Sequence, residues 1–403
     1  MTAACSRGLL AFAAIATSST GCVTSVSPLI RPTISAKHMQ QTVSFLATKE
    51  MRGRRVGSPE NARAAEWIAR QFSDLGLSPA VEGSFFHEFP YGRLKGRNVA
   101  GIVEATGVDG SGKAAEFVVV AAHLDGVGDV HRPAADDNAS GVAALIEIAR
   151  AVVAMRSTLR RNVVFVAFDA EEVGLVGSTR FVLDEIILSE DTRFTIVFDM
   201  IGGKFFPWQQ KTGIAMGTEH SDYIRSIVER LRLNRATPIE LLGTYVLEPA
   251  EPLLARSDYR AYRKAEIPYV FFSTGTPWYY HMAQDSIDRV DFQQSEEIAT
   301  FALDLLLEIA CNACEIDFIK RPKPGVLDLV QLHRILEELL QHQTEIQLPE
   351  RKFTQIGKMK QALASSIANK KASRILAQRG PDADLRSRPT LRAEVSAALF
   401  AKG

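Results

Sequence analysis

The strongest constraint on the fold is a repeated alternation of apolar runs with amphipathic segments through the middle of the chain. Apolar runs such as FVVVAA at residues 117–122 and VVFVAF at residues 163–168 predict strands that are buried on both faces. Further runs lie at residues 194–198 and 267–272, and helix-period segments lie at residues 140–155, 174–183, 221–233 and 292–309. The pattern predicts an α/β fold with a single mixed, centrally parallel twisted sheet and helices on both faces.

Composition divides the chain further. Residues 38–320 are predicted to form the α/β domain, and its early helix has Ser58 as N-cap and Pro59 in the first turn. The Pro322–Gly325 stretch then breaks the pattern, so residues 321–403 are predicted to form a helical, basic C-terminal extension. VLDLVQLHRILEELLQ is its amphipathic helix, and short helical stretches are expected after Pro349. The basic residues are interpreted as a solvated appendage, with binding to anionic lipid or cell wall as the alternative.

The N-terminus resembles an export signal, predicted over residues 1–22. Arg7 precedes a short apolar run, which is too short to span a bilayer and is followed by small residues and Gly21-Cys22. Gly-Cys in this context resembles a bacterial lipoprotein cleavage site, although Ser19 stands where an aliphatic residue is usual. The predicted location is therefore outside the cytoplasm, with a cytoplasmic protein that has an unusual N-terminus as the alternative. The protein would be periplasmic, anchored to the outer membrane through a lipidated Cys22, or secreted. Residues 23–37 are predicted to be a tether.

Global composition excludes some function classes. The 403 residues carry a formal net charge of zero, which gives no reason to expect a nucleic-acid partner. Cys311 and Cys314 form a CxxC within a predicted buried helix, so core thiols are favoured over a redox pair or half of a zinc site. GVDGSGKA at residues 107–114 matches part of a phosphate-binding loop, but Ala114 lacks the hydroxyl that would hold Mg²⁺. A hairpin turn explains that segment better.

Acidic and imidazole side chains follow the ends of the predicted strands. His123 and Asp125 share a face because strand side chains alternate, so Asp125 can hold the second ring nitrogen of a metal-bound His123. In ADDNASG, Asp137 follows a turn, and its two oxygens can bridge two cations. VVFVAF leads into the neighbouring Glu171 and Glu172, which point in different directions. One of them can therefore bind a metal while the other acts as general base.

Two more groups complete the pattern. Asp199 ends the run FTIVFD, and His281 follows the strand at residues 267–272 and an aromatic loop. Each group has an ordinary alternative, such as a strand-end histidine, a helix N-cap like Asp136, or a solvated acidic loop. Together they favour one site, because open α/β sheets gather ligands outside the carboxyl ends of their strands. Imidazoles and carboxylates suit Zn²⁺.

The ordered motifs HLD, DDNASG, AEE, DMIG and YH resemble peptidase family M28. This family of zinc metallopeptidases includes secreted bacterial aminopeptidases, and glutaminyl cyclases are related to it. The resemblance covers roughly residues 40–312 and implies the phosphorylase/hydrolase-like fold of zinc exopeptidases. It implies two zinc ions per chain, one held by His123 and Asp199, the other by Glu172 and His281, with Asp137 bridging both.

The resemblance also implies roles for residues around the metals. Glu171 would be the general base, Asp125 the partner of His123, and Tyr280 a hydrogen-bond donor to the developing oxyanion. Ser257-Asp258 matches the family's SD segment, which lies beside the ligands or the substrate, although Tyr259 stands where a histidine is usual.

The predicted function is therefore that of a di-zinc metallopeptidase, an aminopeptidase that releases N-terminal residues from peptide substrates. Trp278, Tyr279 and Tyr245 are candidates to line an apolar side-chain pocket, with core packing as the alternative. The nearest rival function is that of a glutaminyl cyclase, an aminoacyltransferase that needs a single zinc. A relative that has lost catalysis and acts as a binding module is the rival from another class.

Overall fold

A computed structural model describes residues 32–106, 116–128, 131–233, 235–244, 256–312, 314–346 and 349–377. The predicted signal at residues 1–22 with Cys22, the loop at residues 107–114 and Tyr245 lie outside these described residues. All described residues belong to one unit of the chain. None of the described helices has the length and apolar character needed to cross a bilayer.

A mixed sheet forms the centre of the described structure. Its strands are β1 (Ser78–Pro79), β2 (Phe86–Tyr91), β3 (Leu94–Val103), β4 (Phe117–His123), β5 (Asn162–Phe168), β6 (Thr192–Phe198), β7 (Gly213–Met216), β8 (Ile239–Leu241) and β9 (Tyr269–Ser273). The order is β1-β3-β5-β4-β6-β9-β7-β8, with β2 paired to β3. The central strands β5, β4, β6 and β9 are parallel, while β3 and β7 join antiparallel. The predicted sheet, mixed with a parallel centre, is confirmed.

The apolar strands are buried on both faces. In β4, Val118 and Val120 pack into one hydrophobic core and Val119 and Ala121 into the other, and all four are at most 1% exposed. This is the alternation that a strand imposes on its side chains. It explains why the sequence of each central strand is continuously apolar instead of alternating with polar residues.

Helices cover both faces of the sheet. They are α1 (Ala36–Leu46), α2 (Pro59–Leu75), α3 (Gly141–Ala154), α4 (Val176–Leu183), α5 (Asp222–Leu231), α6 (Tyr259–Lys264), α7 (Phe292–Ala310), α8 (Val326–Gln341) and α9 (Glu350–Ala377). Helices α1, α2, α3, α5 and α7 contribute to the core on one face, and α4, α6, α8 and α9 contribute to the core on the other. The C-terminal helices therefore share a core with the sheet.

The start and end of α2 follow its sequence signals. The Ser58 hydroxyl accepts a hydrogen bond from the Asn61 amide, and Gly76 ends the helix in a left-handed conformation with φ of 82°. The predicted amphipathic helix in the extension is α8, with the predicted boundaries.

Two local predictions are wrong. In the described part of the segment after Pro349, Glu350–Ala377 forms one helix of 28 residues, α9, where only short helical stretches were expected. Ile356, Met359 and Leu363 recur at helical spacing and are buried against the core, which stabilises a continuous helix. The CxxC does not lie inside a buried helix, because α7 ends at Ala310 with Cys311 as its C-cap. Both thiols are consequently half-buried just beyond the helix.

Candidate metal centre

The carboxyl ends of four parallel strands meet at one edge of the sheet and carry the predicted site residues. β4 ends at His123, β6 is followed by Asp199, and the loop after β9 carries His281. In the β4–β5 register His123 lies opposite Phe168, so the segments that follow these two strands emerge side by side. The topology thus brings together residues from four separate parts of the chain.

The first potential metal-binding cluster contains His123, Asp137 and Asp199. His123 Nε2 lies 3.3 Å from Asp137 Oδ1 and 3.3 Å from Asp199 Oδ1. The three side chains are almost completely buried, and their potential ligand atoms all lie within 4.8 Å of one another. This spacing allows the three groups to share one cation.

The second cluster contains Asp137, Glu172 and His281. His281 Nε2 lies 2.8 Å from Glu172 Oε2 and 3.2 Å from Asp137 Oδ2. Asp137 therefore belongs to both clusters, with Oδ1 toward His123 and Oδ2 toward His281. Its carboxylate is placed to bridge two cations. The structure thus assembles all five predicted ligands, whose metal-binding roles stay predictions.

The turn that carries Asp137 is fixed from two sides. Asp285 accepts hydrogen bonds from the amides of Asp136 and Asp137, at 2.7 and 3.1 Å. The Asn138 side chain donates to the Phe198 carbonyl at 2.8 Å, which ties the turn to the end of β6. Asp136 does not act as an N-cap of α3: its carboxylate accepts hydrogen bonds from the Gly202 amide and the Tyr279 hydroxyl.

Asp125 holds the segment that carries the two glutamates. Its carboxylate oxygens accept hydrogen bonds from the amides of Glu171 and Glu172, at 3.1 and 3.3 Å. The Nδ1 atom of His123 lies 3.1 Å from the Asp125 carbonyl and 3.6 Å from its carboxylate. Asp125 thus orients His123 chiefly through its main-chain carbonyl. Its side chain positions the loop after β5, which carries Glu171 and Glu172.

Buried charges shift the acidity of the site. Burial raises the pKa of Glu171 well above its usual value, with the charges of Asp199 and Asp258 adding to the effect and His123 opposing it. Burial and the charge of Asp137 raise the pKa of Glu172 to about 7. A carboxyl group with a raised pKa can both accept and release a proton near neutral pH.

In the imidazoles and the shared aspartate, by contrast, the pKa shifts favour the charged form. Burial alone would lower the pKa of His123, but the charges of Glu171 and Asp199 raise it well above its usual value. Burial likewise opposes protonation of His281, but the close carboxylates of Asp137 and Glu172 raise its pKa to about 9. Burial would raise the pKa of Asp137, but the close imidazoles of His123 and His281 hold it well below the usual range. The carboxylates of the site thus stabilise positive charge on their partners.

A buried arginine lies beneath these clusters. Arg54 is completely buried, and its guanidinium donates hydrogen bonds to the carbonyls of Leu124, Ala134, Leu46 and Pro133. Leu124 follows His123 in the chain, and Ala134 precedes the turn that carries Asp137. Arg54 therefore ties together the segments that carry a ligand of each cluster.

The residues present fit zinc. Asp137 Oδ2, Glu172 Oε1 and His281 Nε2 are buried atoms that make no hydrogen bond of acceptable geometry within the described part of the chain, although their charged groups lie close. Each cluster offers one imidazole and two carboxylates, a donor set that suits Zn²⁺ and that leaves a coordination position for water or substrate. Histidines and carboxylates without thiolates are typical of catalytic zinc sites.

A cavity of about 300 Å³ opens beside the clusters and is lined by Asp137, Glu171, Asp199 and Tyr280. The Tyr280 ring stacks on the His281 ring with centroids 3.7 Å apart. Two other candidate aromatic residues that the structure describes, Tyr279 and Trp278, do not line this cavity. Tyr279 is buried and contacts Asp136, while Trp278 is 53% exposed and lies under the Arg289 guanidinium.

The predicted Ser257-Asp258 pair lies just before α6. Both residues are completely buried. Burial raises the pKa of Asp258 to about 7, with His123 opposing the shift and Asp125 and Asp199 adding to it. Asp258 therefore interacts electrostatically with the site from behind, in accord with a position beside the ligands.

Comparison with known proteins identifies the family. Residues 103–306, half of the chain, match the model of peptidase family M28. The chain belongs to peptidase family M28. Aminopeptidase YwaD of Bacillus subtilis (strain 168) is 28% identical over 221 residues, which cover 51% of this chain and 44% of that relative's own length. The predicted family membership is confirmed.

Solved structures of other proteins share the fold. A zinc aminopeptidase from Bacillus subtilis, BSAP, superposes with a TM-score of 0.56 at 16% identity, covering 72% of this chain and 100% of that one. A glutaminyl cyclase from Bacteroides thetaiotaomicron gives a TM-score of 0.52 at 18% identity, covering 70% and 99%. These similarities confirm the predicted zinc-exopeptidase architecture.

Sequence reasoning missed two residues that hold the site. Asp285 lies four positions after His281 in the same polar loop, and a carboxylate so close to a predicted ligand was a usable signal. Arg54 lies in the polar run RGRRVGS, which gives no sign that one of its arginines is buried.

Proposed function

We propose that this family member is an aminopeptidase that binds two zinc ions and hydrolyses the first peptide bond of its substrate. The carboxylate of Asp137 carries the proposal, because each of its oxygens faces a different histidine. Bound zinc ions supply Lewis-acid polarisation of the scissile carbonyl and make water a better nucleophile near neutral pH.

Glu171 is the proposed general base. It lines the cavity beside the clusters, and its pKa is raised by burial. Its carboxylate accepts a proton from the attacking water as the new C–O bond forms. It then delivers that proton to the leaving amine nitrogen as the C–N bond breaks.

Tyr280 is the proposed donor to the oxyanion. Burial and the charge of Asp137 raise the pKa of its hydroxyl, which keeps the proton in place at neutral pH. A neutral hydroxyl at the cavity wall can donate a hydrogen bond to the substrate oxygen as negative charge develops there. The surrounding carboxylates favour a free, protonated α-amino group, which supports cleavage at the N-terminus.

The variant Glu171→Gln tests this function. It keeps the size of the side chain and removes the base, so we expect zinc content like that of the wild type and kcat on leucyl-anilide lower by about 10²–10⁴-fold. Exposed Glu82→Gln is the matched control and should leave kcat unchanged. Near-normal turnover by Glu171→Gln would exclude Glu171 as the base.

A glutaminyl cyclase is the second candidate, favoured by the similarity to the Bacteroides enzyme. Metal content measured by mass spectrometry separates the two functions. Two zinc ions per chain with anilide hydrolysis support the aminopeptidase. One zinc ion with cyclisation of N-terminal glutamine, and no hydrolysis, would overturn it. A binding module without catalysis is disfavoured, because all five ligand positions are filled by suitable residues. Export and lipidation at Cys22 stay predictions from the sequence.

A further inference from the structure

Helix α8 forms one wall of the cavity beside the clusters. Four of its residues line this cavity: Gln331, Arg334, Ile335 and Glu338. Their spacing of three and four residues places them on a single stripe of the helix. The helix lies beyond residues 103–306, which match the family model. This wall is therefore built from a part of the chain that the family match does not include.

The opposite stripe of α8 anchors the helix. Leu329, Leu332 and Leu336 are buried in the core that also contains residues of β9 and α6. At the start of the helix, the Asp328 carboxylate pairs with Arg225 of α5 at 3.1 Å. A helix held by a packed core presents its other stripe in a fixed position.

An aromatic stack joins the end of α8 to a loop that also lines the cavity. Phe206 stacks on Trp208 with ring centroids 4.9 Å apart, and Trp208 stacks on His342 at 4.0 Å. His342 is the C-cap of α8, while Phe206 lines the cavity from the loop between β6 and β7. The helix and the loop therefore form a continuous wall.

The cavity suits an uncharged side chain. Facing Ile335 are apolar residues that include Phe205, Phe206, Ile214 and Phe271. The cation on the α8 stripe is paired within the protein, since Arg334 contacts Glu240 at 2.9 Å and Glu338 at 3.4 Å. Its charge is thus largely compensated before any substrate enters. A volume of about 300 Å³ is at the lower end of the range for ligand pockets and can enclose a large apolar side chain.

We propose that α8 is the specificity wall of this enzyme and that it selects a large aliphatic or aromatic side chain on the first residue of the substrate. Ile335 contacts that side chain. The inference rests on the proposed aminopeptidase function. It adds the class of substrate side chain and the helix that recognises this side chain.

The variant Ile335→Trp tests the wall by filling the cavity. The ratio of kcat/KM for phenylalanyl-anilide to that for alanyl-anilide should fall at least about tenfold, within the range that apolar pockets achieve. Val330→Trp places the same side chain on the exposed part of α8 and should leave the ratio unchanged. Ile335→Ala, which is less disruptive to folding, should lower the ratio by a few-fold because it removes apolar contact.

Binding supplies a readout that is independent of turnover. In the zinc-loaded Glu171→Gln background, calorimetry should show that phenylalanine amide binds more tightly than alanine amide and that Ile335→Trp abolishes the difference. An unchanged preference in both Ile335 variants would overturn the inference, as would an equal loss caused by Val330→Trp. If the zinc-loaded wild type hydrolyses no aminoacyl-anilide, the proposed function fails, and the binding preference still decides the role of α8.

Discussion

Replacing Arg54 by methionine tests how strongly one buried guanidinium stabilises the acidic site. Arg54 donates to four main-chain carbonyls from three segments: the end of α1, the loop after β4 and the start of the turn that carries Asp137. Methionine retains most of the length and apolar character of the stem but donates no hydrogen bond. The substitution therefore leaves buried carbonyls without the donor that they have in the native protein.

The expected loss of stability follows from these contacts. A buried acceptor that loses its donor costs about 1–3 kcal/mol, so four acceptors set an upper range of roughly 4–12 kcal/mol. Burial lowers the pKa of Arg54 to about 10, although the charges of Asp285 and Asp125 oppose this shift, so the native fold already bears a cost for the buried cation. Removing that cost offsets part of the loss. We expect the free energy of unfolding to fall by about 3–5 kcal/mol.

Urea unfolding in the presence of a chelator measures this loss without a contribution from metal binding. Arg55→Met is the matched control, because Arg55 is the exposed neighbour and its replacement should change stability by no more than about 0.5 kcal/mol. Arg54→Lys keeps the charge but loses the planar guanidinium group with its several N–H donors. The stability of this variant should therefore lie between those of the wild type and Arg54→Met. A loss below about 1 kcal/mol in Arg54→Met would refute the stabilising role.

Two further predictions concern the buried carboxyl groups of Glu219 and Asp125. Burial raises the pKa of Glu219 from 4.5 to about 7, so the folded state binds more protons in this window and stability should fall as pH rises through it, by roughly 3 kcal/mol. Glu219→Gln should reduce the measured fall by about this amount when urea unfolding is compared at pH 5 and pH 8, and an unchanged pH dependence would contradict the assignment. Asp125→Asn should weaken zinc binding by about 10–100-fold in a chelator competition, because the amides of Glu171 and Glu172 lose charged acceptors. Wild-type affinity would show that Asp125 does not position the glutamates.

The central fold could be predicted because each element carries a local signal. The apolar run at residues 163–168 corresponds to strand β5, Asn162–Phe168. The helical pattern at residues 140–155 corresponds to helix α3, Gly141–Ala154. The candidate ligands could be placed because most of them lie within a few residues of a strand end, where the topology of a parallel sheet fixes their neighbours. His281 lies eight residues beyond β9, and its position after that strand and an aromatic loop placed it with the other candidates.

Other features have no local signal in the sequence. β7 and β8 contain four and three residues, which is too short for a recognisable period, and they are held mainly by pairing with their neighbours. The partners of Arg54 include carbonyls that lie 70–80 residues away in the chain, and main-chain acceptors leave no trace in the side-chain pattern. The contribution of α8 to the cavity depends on which stripe of an amphipathic helix faces the site, and periodicity alone does not determine this.

The position of each element explains why chemistry and specificity can change separately in this fold. The segments that carry the candidate ligands are held by side chains of Asp285, Asn138 and Asp125, so replacing one of these three residues disturbs the site directly. On the stripe of α8 that lines the cavity, Arg334 pairs with the side chain of Glu240. Substitutions on that stripe can reshape the cavity while the core stripe of the same helix keeps it in place. With α8 in its proposed role, substitutions on this stripe would change the substrate side chain that is accepted and leave the candidate catalytic groups at the sheet edge in place.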